Sequence, residues 1–229
     1  MKALISQRQA KNRYSTFIDV LEAPYITFFE KLGIDLHVVS NFHVSIKHLT
    51  NDLDLIILTG GGNVPVSYYD QPDSGDVQEY RDKTEKRLIE YAIINGIPIL
   101  GICRGMQFLN GYFGGKVSKL DNLKKRRTIG EDHPIIIGNE TVYVNNYHND
   151  GIFENNLASE FIPVGMDVEN KVIEACYSKT NKVLGVQWHP ERKFSDSNSY
   201  KVSEQLISSF YSNRGRLDES YHLSSRTGN

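Results

Sequence analysis

Two segments of this chain carry side chains whose types and spacing suit acyl transfer. The first is Ile99-Leu100-Gly101-Ile102-Cys103-Arg104-Gly105-Met106-Gln107. A short apolar run ends in Gly-x-Cys-x-Gly and a helix-like segment follows, the layout of a strand-to-helix elbow that holds one reactive side chain clear of a sheet. Glycines flank such a turn because backbone segments approach too closely for larger side chains. The free N–H groups and dipole of the following helix favour a thiolate there. On this segment alone, a buried cysteine packed in an ordinary α/β turn is the competing reading.

The second segment is Val183-Leu184-Gly185-Val186-Gln187-Trp188-His189-Pro190-Glu191. Residues i and i+2 of an extended backbone point to the same side. His189 and Glu191 can therefore face one another, with the other ring nitrogen free to serve a nucleophile, which is the base-and-orienter arrangement of a catalytic triad. By itself the segment also fits a surface His-Pro-Glu turn. A third segment, Leu58-Thr59-Gly60-Gly61-Gly62-Asn63-Val64-Pro65, leaves backbone N–H groups open to a ligand, as an oxyanion hole or a phosphate loop requires. It lacks the Gly-Lys-Ser/Thr ending of a P-loop and the glycine spacing of a dinucleotide fingerprint.

These segments need a scaffold, and the hydrophobic pattern supplies one. Strands are expected at Ala3–Ser6, Leu36–Val39, Leu53–Leu58, Ile97–Gly101, Val172–Tyr177 and Val183–Trp188. Helical stretches alternate with them: one from Pro24 to the stop at Gly33, one over Glu85–Asn95, one from Cys103 to about Phe113, and one over Ser197–Tyr211. This alternation predicts an α/β fold with a mainly parallel sheet. One domain over residues 1–211 is expected, followed by a polar, loosely held tail over 212–229.

Composition sets the outer bounds. The 229 residues are 39% hydrophobic and 24% charged with a net charge of −2, an ordinary globular balance without a global pull toward nucleic acid or anionic membrane. No run reaches membrane-spanning length and the N-terminus has too little apolar character for a signal peptide, so a cytoplasmic location is the default. Cys103 and Cys176 do not resemble a disulfide framework, and no Cys-x-x-Cys or His-x-x-x-His pairing suggests a metal. Neither a cofactor nor a metal is expected.

Taken together, the Thr59–Pro65 loop with Tyr68-Tyr69, the Gly-Ile-Cys-Arg-Gly-Met-Gln elbow with Asn110 and Gly114-Gly115, the Asn145-Asn146-Tyr147-His148 segment and Gly-Val-Gln-Trp-His-Pro-Glu resemble the class I glutamine amidotransferase superfamily. More narrowly they are similar to its γ-glutamyl hydrolase (peptidase C26-like) branch. The resemblance implies a flavodoxin-like sheet, a Cys103–His189–Glu191 triad and an oxyanion hole at the N–H groups of Arg104 and Gly61. It also implies a glutamyl pocket drawing on Gly62, Gln107, Asn146, Tyr147 and His148. The chain departs from the pattern at Asn63, where aspartate is common, at Asn146, where the branch usually has serine, and at Asn149-Asp150. Those departures bear on the leaving group rather than on the chemistry.

The implied reaction is hydrolysis of a γ-glutamyl amide or phosphoramidate through a Cys103 thioester. The dense basic run Lys124-Lys125-Arg126-Arg127 is either a solvated loop or a receptor for a phosphate-bearing leaving group. In the second case γ-glutamyl-CDP-amidate, a substrate type of capsular phosphoramidate pathways, fits. Two other readings compete: a glutaminase subunit delivering ammonia to a separate synthetase partner, and a non-catalytic binding module. A γ-glutamyl-γ-aminobutyrate type of substrate is a further alternative. The expected partner is a small-molecule substrate, with no nucleic acid and no membrane.

Overall fold

The run Leu55-Ile56-Ile57-Leu58 is apolar at every position and buried at every position, as expected of a strand covered on both faces. The computed structural model describes residues 1–43, 45, 52–72, 75–121, 123–125, 127–195 and 197–223. Along the chain these form β1 (Lys2–Ile5), β2 (Arg8–Lys11), β3 (Phe17–Val20), α1 (Ala23–Lys31), β4 (Asp35–Val38), β5 (Leu55–Leu58), α2 (Glu79–Asn95), β6 (Ile99–Ile102) and α3 (Arg104–Tyr112). There follow β7 (Ser118–Lys119), β8 (Asp132–Ile137), β9 (Glu140–Asn145), β10 (Asp150–Phe153), β11 (Ile162–Asp167), β12 (Val172–Ser178), β13 (Val183–Val186) and α4 (Ser197–Ser212).

The main path of the sheet runs β4-β1-β5-β6-β13-β12-β11-β8-β9. From β4 to β13 the pairings are parallel, and from β13 onward they are antiparallel. The parallel half agrees with the flavodoxin-like expectation, and the sheet is mixed because β8–β12 extend it. Alternation along each strand divides the core in two. Leu55 and Ile57 pack with Phe29, Leu206 and Phe210 of α1 and α4, while Ile56 and Leu58 pack with Leu88, Met106 and Leu109 of α2 and α3. Each such fully buried aliphatic side chain contributes about 1.5–3 kcal/mol.

The parallel order decides where chemistry can occur. β5, β6 and β13 are neighbours and run the same way, so the glycine loop, Cys103 and the His189 segment all leave the sheet at one edge. Crevices outside the carboxyl ends of parallel strands are where open α/β sheets bind ligands.

Several elements differ from expectation. Helix α2 begins at Glu79, well before the expected Glu85, and β2 pairs with β3 as a separate hairpin. Beyond Tyr211, part of the expected loose tail is docked: Leu217 is buried, its N–H donates to the Tyr177 hydroxyl at 3.2 Å, and Tyr221 packs on the core. Residues 224–229 lie outside the described residues. Among the described residues, no helix is long and apolar enough to cross a membrane.

Candidate active site

Cys103 is the residue between β6 and α3, with φ 52° and ψ −106°. A non-glycine residue in this region is strained by roughly 1–3 kcal/mol, so the surroundings must impose the turn. They do so from two sides. The Cys103 N–H donates to the Val186 carbonyl of β13 at 2.7 Å. Two residues on, a Cβ at Gly105 would collide with the Leu58 carbonyl of β5, so only glycine lets α3 start this close to the sheet.

His189 follows β13 and is 3% exposed. Its Nδ1 meets Glu191 Oε1 at 2.6 Å, and its ring lines the same cavity as Cys103. Asn145 fixes the backbone at the same residue. Its Nδ2 donates to the His189 carbonyl at 2.8 Å and its Oδ1 accepts the His189 N–H at 2.9 Å. Burial pulls the imidazole pKa down, but the Cys103 charge and hydrogen bond, together with Glu191, outweigh it and push it up to about 10. Behind the pair, Tyr25 is buried and its hydroxyl accepts the Gly60 N–H at 3.0 Å. Burial first, then the Glu191 charge, raises that phenol well above its ordinary range.

The glycine loop is held by its carbonyls. Arg81 donates to the Thr59, Gly60 and Gly61 carbonyls at 2.5, 3.2 and 2.7 Å, and Arg104 Nε donates to the Asn63 carbonyl at 3.0 Å. In a trans peptide the N–H points opposite the preceding C=O. Drawing the Gly60 and Gly61 carbonyls toward α2 therefore turns the Gly61 and Gly62 N–H groups the other way, and both residues line the cavity that contains Cys103. Among the described residues, neither the Gly61 nor the Arg104 N–H has an intramolecular partner.

Both arginines are anchored in a buried ion network. Glu85 receives Arg81 Nε at 2.8 Å, Ser6 Oγ at 2.7 Å and Arg104 Nη1 at 2.5 Å, while Arg104 Nη2 pairs with Asp82. Burial works to raise the Glu85 pKa, yet Arg81 and Arg104 hold it below its usual value. At Asp82 burial wins over Arg104 and lifts the carboxyl to about 6. Thus the Arg104 side chain braces the loop, and Arg104 itself is not among the residues that line the cavity containing Cys103.

The cavity has a volume of about 320 Å³ and brings together Cys103, His189, Gly61, Gly62, Gln107 and His148, with Tyr147 at its wall. Gln107 Nε2 donates to the Asp150 carbonyl at 3.0 Å, and His148 Nδ1 meets the same carbonyl at 3.0 Å. Burial lowers the His148 pKa against an opposing pull from Glu174. The Tyr147 ring stands edge-on to His189 at 5.6 Å, with the Arg192 guanidinium 4.3 Å from its centroid. Asn146 is not among the cavity residues; its Nδ2 donates to the Thr128 carbonyl at 3.1 Å.

Of the basic run, Lys124, Lys125 and Arg127 are not among the residues that line this cavity. Arg127 makes hydrogen bonds to both Asp167 oxygens and pairs with Glu169, and Lys125 pairs with Glu169 at 3.0 Å. Both line a different hollow, near Asp132 and His133. Lys124 is exposed, and Arg126 falls outside the described residues. Elsewhere, Tyr69 serves as an anchor, donating to Asp150 at 2.7 Å and accepting from Asn63 at 3.0 Å. Trp188 is packed, its Nε1 donating to Ser203 Oγ at 2.8 Å, and burial pushes the Cys176 thiol up to about 12.

Sequence reasoning missed Arg81, Glu85 and Asn145, which set the positions of the loop and of His189, and Arg8, which lines the cavity. The i,i+4 spacing of Arg81 and Glu85 is the one signal present, and it reads equally well as an exposed helical pair. Chemically, the arrangement can bring a thiolate to a carbonyl carbon, meet the resulting oxyanion with backbone donors and move a proton at the far side.

Known proteins share the sequence pattern and the fold of this chain. The family model described as glutamine amidotransferase class-I matches residues 25–208. The chain is 31% identical over 191 residues to the glutamine amidotransferase-like protein YvdE of Lactococcus lactis, covering 73% of this chain and 78% of that protein. It is 32% identical over 147 residues to the gamma-glutamyl-CDP-amidate hydrolase of Campylobacter jejuni, covering 64% of this chain and 65% of that one, just under two thirds. A glutamine amidotransferase structure from Thermotoga maritima superposes with a TM-score of 0.64 at 16% identity, covering 94% of this chain and 98% of that one.

Proposed function

The chain belongs to the class I glutamine amidotransferase family, and from that premise we propose that it is a hydrolase of γ-glutamyl amides or phosphoramidates. The observation that carries this reading is that Cys103 shares its cavity with His189, which Glu191 holds at 2.6 Å, at the edge of neighbouring parallel strands. In the proposed reaction the Cys103 thiolate attacks the γ-carbonyl carbon. The oxyanion is received by the Gly61 and Arg104 N–H groups, donors of a kind worth about 3 kcal/mol each. The His189 imidazolium, stabilised by Glu191, gives its proton to the departing nitrogen as the C–N bond breaks, leaving a glutamyl thioester and a neutral imidazole that Glu191 keeps oriented. Water then attacks the thioester, its proton passes to His189, and glutamate leaves with the thiolate restored.

On the leaving side we favour a nucleotide phosphoramidate of the γ-glutamyl-CDP-amidate type. Support comes from the likeness to the Campylobacter jejuni hydrolase and from the cations that line the cavity, Arg8, Lys119 and Arg192. Incubation with a glutamine-like chloroketone tests the nucleophile assignment: one adduct per chain, mapped to Cys103 and absent from Cys103→Ala, is expected. An adduct on another residue would overturn it.

A further inference from the structure

Among the described residues, the charges around the cavity leave one cation without a partner. Lys119 pairs with Asp150 at 3.0 Å, and Arg192 pairs with Glu22 at 2.8 Å. Arg8 lines the same cavity, and among the described residues its guanidinium has no hydrogen bond or ion pair. Its stem and backbone are nevertheless placed by their neighbours. Its stem crosses Gly61 so closely that a Cβ there would lie 2.9 Å from Arg8 Cδ. The strand that carries it is tied to helix α2, since the Gln9 N–H donates to Gln78 at 3.1 Å and Gln9 accepts the Tyr80 N–H at 3.0 Å.

Its location also has a direction. Arg8 lines a second, smaller recess shared with Gly60, His189 and Arg192, whereas Gln107 and His148 belong only to the larger cavity. A leaving nitrogen must face His189 to receive its proton, and Arg8 lines both hollows that His189 lines, so the departing group leaves beside Arg8. A planar guanidinium with open N–H groups suits two oxygens of one anion.

We propose that Arg8 is the receptor for an oxyanion, carboxylate or phosphoryl, carried by the leaving amine. This rests on the hydrolase reading and deepens it, since it fixes which γ-glutamyl compounds the site selects. The test compares kcat/KM for γ-glutamylethylamide, γ-glutamyl-γ-aminobutyrate and a γ-glutamyl nucleotide phosphoramidate in wild type, Arg8→Ala, Arg8→Gln and Arg8→Lys. Wild type is expected to prefer an anionic leaving group. In Arg8→Ala and Arg8→Gln that preference over the ethylamide falls about 10- to 100-fold, mainly through KM, and Arg8→Lys restores part of it. The anionic substrate that shows the larger fall identifies the oxyanion as carboxylate or phosphoryl. An equal loss on neutral and anionic substrates in Arg8→Gln would overturn the proposal and make Arg8 a brace for Gly61. An unchanged preference would overturn it as well. If wild type hydrolyses glutamine alone, the failure lies in the hydrolase reading, a result visible before any variant is compared.

Discussion

Gly60 stands so close to His189 that a methyl group on it would lie 2.6 Å from the imidazole Cε1. His189 cannot step aside, because Glu191 holds its ring and Asn145 holds its backbone twice. The first glycine of the loop is thus a spacer that sets the imidazole position. Gly60→Ala is expected to lower kcat by about 100-fold, the typical cost of misplacing a catalytic group by an ångström. Steady-state kinetics beside circular dichroism checks this; near-wild-type kcat in a folded variant would contradict it.

Glu85 should matter for stability more than its distance from Cys103 suggests. It neutralises Arg81 and Arg104 where water is excluded, and removing one partner of a buried pair leaves uncompensated charge. Glu85→Ala is expected to lose about 3–5 kcal/mol in urea unfolding, and a loss below about 1 kcal/mol would contradict the assigned role. Because both arginines also hold the loop carbonyls, activity should fall even in conditions where the variant remains folded.

The charge state of His189 predicts how stability varies with pH. Its folded pKa, about 10, lies above its ordinary value of 6.5, so the protonated form favours the folded state. That contribution is fully present below the unfolded value and is lost as pH rises through about 10. Urea midpoints for wild type should therefore decline from pH 6.5 toward 10 more steeply than those of Cys103→Ala, which lacks the first of the groups that raise the imidazole. Parallel declines would contradict the assignment.

Arg127 offers a contrast with the cavity residues. With its guanidinium committed to Asp167 and Glu169, Arg127→Ala is expected to cost about 1–3 kcal/mol of stability while leaving kcat/KM near wild type on an anionic γ-glutamyl substrate. A specific rise in KM for that substrate would instead place Arg127 in contact with the leaving group.

What the sequence made legible follows from the kind of interaction involved. Leu55–Leu58, Ile99–Ile102 and Val183–Val186 read as strands because burial on both faces demands apolar runs, and the glycines after the first two mark the loop and the elbow. The antiparallel extension and the separate β2–β3 hairpin are harder to see. Asp132–Ile137 contains Pro134, and the short Arg8–Lys11 and Phe17–Val20 strands have too little apolar alternation to stand out. The start of α2 was missed because its inward face carries Arg81 and Glu85, a buried ion pair that resembles a solvated one in sequence. Local spacing brought His189 and Glu191 together, whereas the role of Arg8 depends on which charges elsewhere are already paired. Leu217, one apolar residue in a polar stretch, gave no warning that it docks.

Glutamate release from a substrate panel tests the proposed activity most directly. The panel holds glutamine, a neutral γ-glutamyl amine, a γ-glutamyl peptide and a γ-glutamyl nucleotide phosphoramidate, with Cys103→Ala as the blank. The expected result is release by the isolated chain that is fastest with a γ-glutamyl compound bearing an anionic leaving group and absent from Cys103→Ala. Release from free glutamine alone, or undiminished release by Cys103→Ala, would contradict it.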